Sequence, residues 1–191
     1  MSPGERRDQI LVAARATFAT TPYAEASVPD IGRAAGASAP LVFHYFGSKA
    51  GLYEAVVEAG LAELAARQRA ADAALPPNSS TRDRVRTWVL AHLDHVASTP
   101  QAWAAGWVHG EEPPGASGVR HAAREEALAF LADMVEPAEP RRDRFALLGF
   151  LGFVERCSFV WAADGCPADD RYPLVDAALG ALEGALGDWR R

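Results

Sequence analysis

The chain has 191 residues, 49% of them hydrophobic, and a formal net charge of −6. That is enough apolar material for one or two packed domains, and it excludes a globally disordered chain. The N-terminal MSPGERRDQI has no uninterrupted apolar stretch of signal-peptide length behind it, two cysteines are too few for a disulfide framework, and the most apolar stretch, 145–163, is interrupted by Glu155 and Arg156. These features predict a soluble, cytoplasmic protein whose uncharged runs are too short to span a bilayer.

The periodicity is helical throughout, broken by short Pro/Gly/Ser segments, and no strand signal stands out. A first helix is predicted over 4–20, with Ile10, Ala13, Ala14, Thr17 and Phe18 on one face. Residues 27–52, SVPDIGRAAGASAPLVFHYFGSKAGL, then read as two short helices and the start of a long one. Ser27 can cap the first, with Asp30 three places on as a capping box. Ile31, Ala34 and Ala35 give it a small apolar face. Gly36 suits the left-handed residue that ends a helix. Ser38 can cap the next helix, where Pro40 is tolerated in the first turn. Gly47-Ser48 breaks and recaps for a long helix from Lys49 to about 74. This is a helix-turn-helix, a device for laying one short helix into the DNA major groove.

The rest reads as a helical bundle. After the break LPPNSST (75–81), helices are predicted over 82–97, from Thr99-Pro100 to His109, over 119–135, over 141–163 and over 172–189. GEEPPGASG (110–118) and DGCPADD (164–170) are expected loops. The division expected is a DNA-binding domain over 1–55 and a larger domain over 56–191, with the long helix shared. The fold class is all-α.

The N-terminal third resembles the DNA-binding domain of the TetR family of transcriptional regulators. The residues that carry this are Arg7-Asp8-Gln9-Ile10-Leu11-Val12-Ala13-Ala14, Phe18, Ile31, Ala35-Gly36, Phe43-His44-Tyr45-Phe46, Ser48-Lys49 and Leu52. The resemblance implies a regulator, expected to be a repressor, whose C-terminal domain binds a small effector and dimerises through its last two helices. The family pattern usually has threonine and tyrosine where this chain has Leu41 and Phe43. Two polar DNA contacts are thereby removed, and more weight falls on His44, Tyr45 and Lys49.

Residues early in a recognition helix face base edges. Ala39 and Pro40 offer apolar contact suited to a thymine methyl, and His44 can hydrogen-bond a base edge or a phosphate. Tyr45 can donate to phosphate. Phe43 divides between DNA contact and core, while Phe46 reads as core. Lys49 opposes the dipole of its helix, a cost of about 0.3–1 kcal/mol that a bound phosphate would reverse. Ser27, Arg33 and Ser38 complete the candidate DNA contacts. Arg6 and Arg7 can reach the backbone or minor groove, or belong to a solvated end. Residues 1–55 balance Arg6, Arg7, Arg15, Arg33 and Lys49 against Glu5, Asp8, Glu25, Asp30 and Glu54. The acidic excess therefore lies downstream, where it repels nonspecific DNA.

Downstream, Trp88, Trp103, Trp107 and Trp161, with Phe130, Met134, Phe150, Phe153 and Cys157, can line an effector cavity or simply fill a core. His92, His95, His109 and Glu155 are its polar candidates. Glu155 is expected to face that cavity or a dimer seam, partnered by a cationic ligand group, a histidine or Arg156 of another subunit. The 141–163 helix is apolar nearly all round, as if a second subunit covers one face, and 172–189 carries the stripe Val175, Leu179, Leu182, Leu186 and Trp189. Gly180 and Gly184 lie on another face, open to close approach. His92 and His95 are three apart, but no spacing fixes a third ligand, so neither metal nor cofactor is expected. No phosphate loop or nucleophile elbow points to an enzyme. Two readings stay open: a ligand-released, dimeric operator-binding repressor, and a DNA-binding dimer whose bundle serves only association or protein contacts.

Overall fold

A computed structural model describes residues 2–101, 103, 112–136 and 140–187. Among these residues there are eight α-helices and no strand, so the all-α expectation holds. They are α1 (Pro3–Thr20), α2 (Val28–Ala34), α3 (Ala39–Phe46), α4 (Lys49–Ala73), α5 (Thr81–Ser98), α6 (Pro114–Val135), α7 (Pro140–Ala163) and α8 (Arg171–Leu186). A 3-10 turn, Ala168–Asp170, precedes α8. Most of the short helix expected to end at His109 lies outside the described residues, as do Trp107 and Trp189.

Two boundaries differ from the sequence reading. α6 begins at Pro114 rather than 119, because paired prolines suit a first helical turn, and Ala116 N–H already donates to Pro113 O at 2.9 Å. Gly115, which reads as a breaker, sits against the Glu54 carboxylate, where a Cβ would collide. α8 stops at Leu186, ended by Gly187 at φ 82°.

By contacts the chain divides into two compact units, 1–62 with 101–122, and 63–100 with 123–191. The boundary expected after residue 55 lies within α4, which is divided between the units after Ala62. In the first unit α1 packs on α2 and α2 on α3. Its core comprises Ile10, Ala14, Phe18, Val28, Ile31, Val42, Leu52, Tyr53 and, from α6, Ala116. Phe18, Tyr23 and Tyr53 form an aromatic cluster, with Phe18 and Tyr53 edge to face at 5.0 Å.

In the second unit α5, α7 and α8 pack on one another. Val85, Trp88, Val89 and Leu93 of α5 are buried there with Leu147, Phe150 and Val154 of α7, and with Val175, Leu179 and Leu182 of α8. The apolar stripe of α8 is thus spent on the unit's own core, while Gly180 and Gly184 face open space. α7 buries one side and exposes Phe145, Leu148 and Val160 on the other. Against the sequence expectation, Arg141–Ala163 is long and apolar enough by length and composition to cross a bilayer; its burial within this unit is the alternative reason for such a composition. Arg84 closes the α4–α5 end with a two-pronged ion pair to Asp72, at 2.8 and 2.7 Å.

Candidate nucleic-acid interface and effector region

The helix-turn-helix is set by local chemistry. Ser27 Oγ accepts from Asp30 N–H at 3.4 Å and caps α2. The reciprocal half of the expected capping box is diverted, since the Asp30 carboxylate pairs with Arg33 at 2.7 Å. Ser38 Oγ caps α3 by accepting from Leu41 N–H at 3.4 Å, and Ser48 Oγ accepts from Gly51 N–H at 3.0 Å at the start of α4. Gly36 and Gly47 end α2 and α3 at φ 62° and 73°, conformations that cost a glycine little. Gly32 lets the two helices close, for a Cβ there would meet Ala37 O at 2.9 Å and Val42 Cγ2 at 3.4 Å.

Two arginines that the sequence divides between DNA contact and a solvated end have partners within the protein. Arg6 donates to Ala35 O and Gly36 O at 3.2 and 3.1 Å, clasping the turn between α2 and α3. Arg7 lies over the Phe46 ring at 5.2 Å, which steadies the C-terminal end of α3. Ser2 and Glu5 form a complete capping box on α1. The S-x-x-E signal for it stands in the sequence at residues 2–5.

Of the candidate DNA contacts, Pro40, Phe43 and His44 are exposed on one face of α3, and Val42 is buried on the other. Phe43 is 43% exposed, so its ring is not core. Ser38 is exposed beside its cap, while Ala39 and Tyr45 are half-buried. Tyr45 meets His44 edge to face at 5.6 Å. Arg33 is highly exposed on α2. Lys49 Nζ donates to Ala24 O at 3.1 Å and sits 4.7 Å above the Tyr23 ring. A structural role therefore accounts for a lysine in that first turn, where the sequence reading invoked phosphate.

A third knot in this unit was invisible in the sequence. Tyr53 Oη donates to Glu112 Oε1 at 2.8 Å, and Arg120 grips the same carboxylate with Nη2 and Nε at 2.6 and 3.1 Å. Burial, helped by Glu112, pushes the Tyr53 phenol up to about 12. Burial alone would raise Glu112, but the bonds from Arg120 and Tyr53 outweigh it and hold the carboxyl below its usual range.

The candidate effector residues divide. Trp88, His92, Phe130, Phe153, Cys157 and Trp161 belong to the second unit, Trp103 counts with the first, and Trp107 lies outside the described residues. Trp88 stacks on His92 at 6.0 Å and tilts against Phe150 at 6.2 Å. His92 is driven down to about 3 by burial, with the nearby His95 adding to it. Phe130, Phe153 and Cys157 are half-buried, and burial raises the Cys157 thiol against the pull of Arg156. Trp161 gives its indole N–H to Pro167 O at 2.9 Å, so it also holds the turn before α8. Gln68 Nε2, Trp88 Nε1 and Ser158 Oγ are buried in this unit without a hydrogen-bond partner, a rare state for buried polar atoms. Of these, only Trp88 was among the sequence candidates. Glu155 is paired within its own chain, gripped by Arg124 of α6 at 2.9 Å rather than by the expected histidine, ligand or second-subunit Arg156.

Two capped helices joined by a glycine turn, with the second presenting an acid-free outer face, make a helix-turn-helix DNA-binding domain. Residues 10–56 match the family model described as bacterial regulatory proteins, tetR family. Residues 10–56 thus carry a TetR-type DNA-binding domain, and the chain is similar to that family's DNA-binding transcriptional regulators. It is 29% identical over 158 residues to the HTH-type transcriptional regulator BetI 2 of Chromohalobacter salexigens, covering 78% of this chain and 74% of that protein. It is 28% identical over 169 residues to the HTH-type transcriptional activator FasR of Mycolicibacterium smegmatis, covering 86% and 76%. Its fold matches that of the transcriptional regulator FadR from Bacillus subtilis, solved in complex with stearoyl-CoA, with a TM-score of 0.72, 15% identity, and coverage of 94% and 97%.

Proposed function

We propose that this regulator is a cytoplasmic repressor that binds a palindromic operator as a homodimer and is released by a small, largely apolar ligand held in the second unit. The observation that carries the ligand is the trio of buried, unpartnered polar atoms on Gln68, Trp88 and Ser158. Leaving such a group unsatisfied costs about 1–3 kcal/mol, which a ligand supplying the missing partners offsets. Gln68 and Trp88 offer N–H donors, so the ligand presents acceptor oxygens on an apolar body. The stearoyl-CoA held by FadR from Bacillus subtilis has such a carbonyl beside a long apolar chain. Trp88, His92, Phe130, Phe153, Cys157 and Trp161, all of the second unit, are the proposed apolar surround.

The dimer reading is supported by the outer face of α7, where Phe145, Leu148 and Val160 are exposed beside Gly149 and Gly152, and by the open glycines of α8. The proposed DNA contacts are Ser38, Ala39, Pro40, Phe43, His44 and Tyr45 on and before α3, with Ser27, Arg33 and Lys49 toward phosphate. A second reading, a dimer without an effector, is favoured by the direct contacts among Trp88, His92 and Phe150, which fill space as a core does.

The test has two parts. Sedimentation at micromolar concentration should give a dimer that binds operator as a dimer; a monomer in both states overturns the two-half-site scheme. Fatty acyl thioesters and other apolar carbonyl compounds are then screened by quenching of tryptophan fluorescence, and operator is titrated with each hit. A tenfold loss of operator affinity corresponds to about 1.4 kcal/mol of coupling. Hits that leave operator affinity unchanged support the second reading.

A further inference from the structure

The DNA-facing side of α3 is chemically lopsided. Pro40, Phe43 and His44 follow the i, i+3, i+4 spacing of one helix face, and all three are exposed. Only His44 among them has a side chain that can form a hydrogen bond. α3, APLVFHYF, contains no Arg, Lys, Asn, Gln, Asp or Glu. These are the side chains that read guanine, adenine and cytosine edges in the major groove. In their place stand a pyrrolidine ring and a phenyl ring that is 43% exposed.

An exposed phenyl on a helix that enters the major groove meets one kind of apolar atom there, the thymine 5-methyl group. We infer that this regulator reads its operator half-site chiefly through thymine methyls seated against Phe43 and Pro40, with His44 supplying the single hydrogen-bonded base contact. The inference rests on the operator-binding reading above and names what is read. Phe43 holds a carbon ring toward the groove with no hydroxyl to be drawn to phosphate. Pro40, one helical turn earlier, continues that surface toward the helix N-terminus, the end that approaches base edges most closely. The half-site is therefore expected to carry A·T pairs at two nearby positions beneath these rings.

The experiment uses the unmodified protein. Operator is recovered by selection from a pool of randomised duplexes. Each selected thymine is then replaced singly by deoxyuridine, which removes the methyl and leaves the base pair's hydrogen bonds in place. Burying one methyl-sized group corresponds to about a fourfold change in affinity. Affinity should fall by about that factor at two positions per half-site and stay unchanged elsewhere. Phe43→Ala should then bind the thymine and uracil versions of one of those positions equally, while the wild type still discriminates. Selection of a defined operator that tolerates uracil everywhere overturns the methyl readout and leaves the regulator reading standing. A pool that yields no preferred sequence overturns the regulator reading, and this inference with it.

Discussion

Tyr53 and Glu112 lie 59 residues apart and share a 2.8 Å hydrogen bond in which the phenol donates to a carboxylate already held by Arg120. The bond fastens α4 to the residues that lead into α6 within the first unit, beside a fully buried Ala116. Tyr53→Phe deletes the donor and keeps the ring among Phe18 and Tyr23. Hydrogen bonds to charged groups contribute about 1.5–3 kcal/mol, so chemical denaturation should show a loss in that range. The pH dependence has two signs. The lowered Glu112 carboxyl stabilises above its ordinary range, and that contribution disappears as acid protonates it. The phenol, raised from 10 to about 12, stabilises fully below 10 and loses its contribution as pH climbs through 12. Tyr53→Phe should flatten the alkaline limb; an unchanged limb would remove this account.

Lys49→Ala separates two roles. If Lys49 meets phosphate, the slope of log affinity against log salt should become shallower by about 1. If its work is confined to Ala24 and Tyr23, the slope stays and thermal stability falls instead. We expect both changes, because the Ala24 carbonyl and the Tyr23 ring restrain the ammonium without pairing it to an opposite charge. An unaltered salt slope rules out the phosphate role.

Leu182→Glu and Phe145→Glu should behave oppositely. Leu182 is fully buried in its own unit, so a carboxylate there should destabilise by about 3 kcal/mol or more and reduce folded protein. Phe145 is 71% exposed, so the isolated chain should tolerate the same change. Loss of the dimer in sedimentation, with helical content intact by circular dichroism, is the expected result for Phe145→Glu. A stable dimer in that variant moves the seam elsewhere.

His92 makes the second unit acid-sensitive. Its depressed pKa means that stability is fully present above 6.5 and declines as pH falls toward about 3, at up to about 1.4 kcal/mol per pH unit. His92→Gln should lower stability at neutral pH and soften that acid dependence. Urea midpoints measured from pH 7 to pH 4 provide the check.

The helix-turn-helix was legible because its signals are local. Ser27, Gly36, Ser38 and Gly47 each act within a few residues of themselves, and each does what its position announces. The misses are contacts across long sequence separations. Nothing near Arg6 announces a clasp on Ala35 and Gly36, and nothing near Glu112 announces Tyr53. Periodicity showed that α7 is apolar on several sides, but not which side its own unit uses. The α8 stripe looked available to a partner and instead meets α5 and α7. Gln68 and Ser158 escaped notice because a polar residue among helix-forming neighbours reads as surface, and only the packing shows them buried without partners.

Three basic side chains of the DNA-binding domain are held by partners that carry no charge. Arg6 is fixed by two carbonyl oxygens, Arg7 by the face of Phe46, and Lys49 by a carbonyl and the face of Tyr23. A carboxylate in any of those places would cancel the field that phosphate feels. A carbonyl or an aromatic face instead restrains the side chain and leaves the field intact. Long basic side chains surrender about 0.5–1.5 kcal/mol of rotamer freedom each when a complex forms. Here much of that ordering is already complete in the free protein. A chain with a net charge of −6 thus keeps three restrained positive charges in its first unit that no carboxylate cancels.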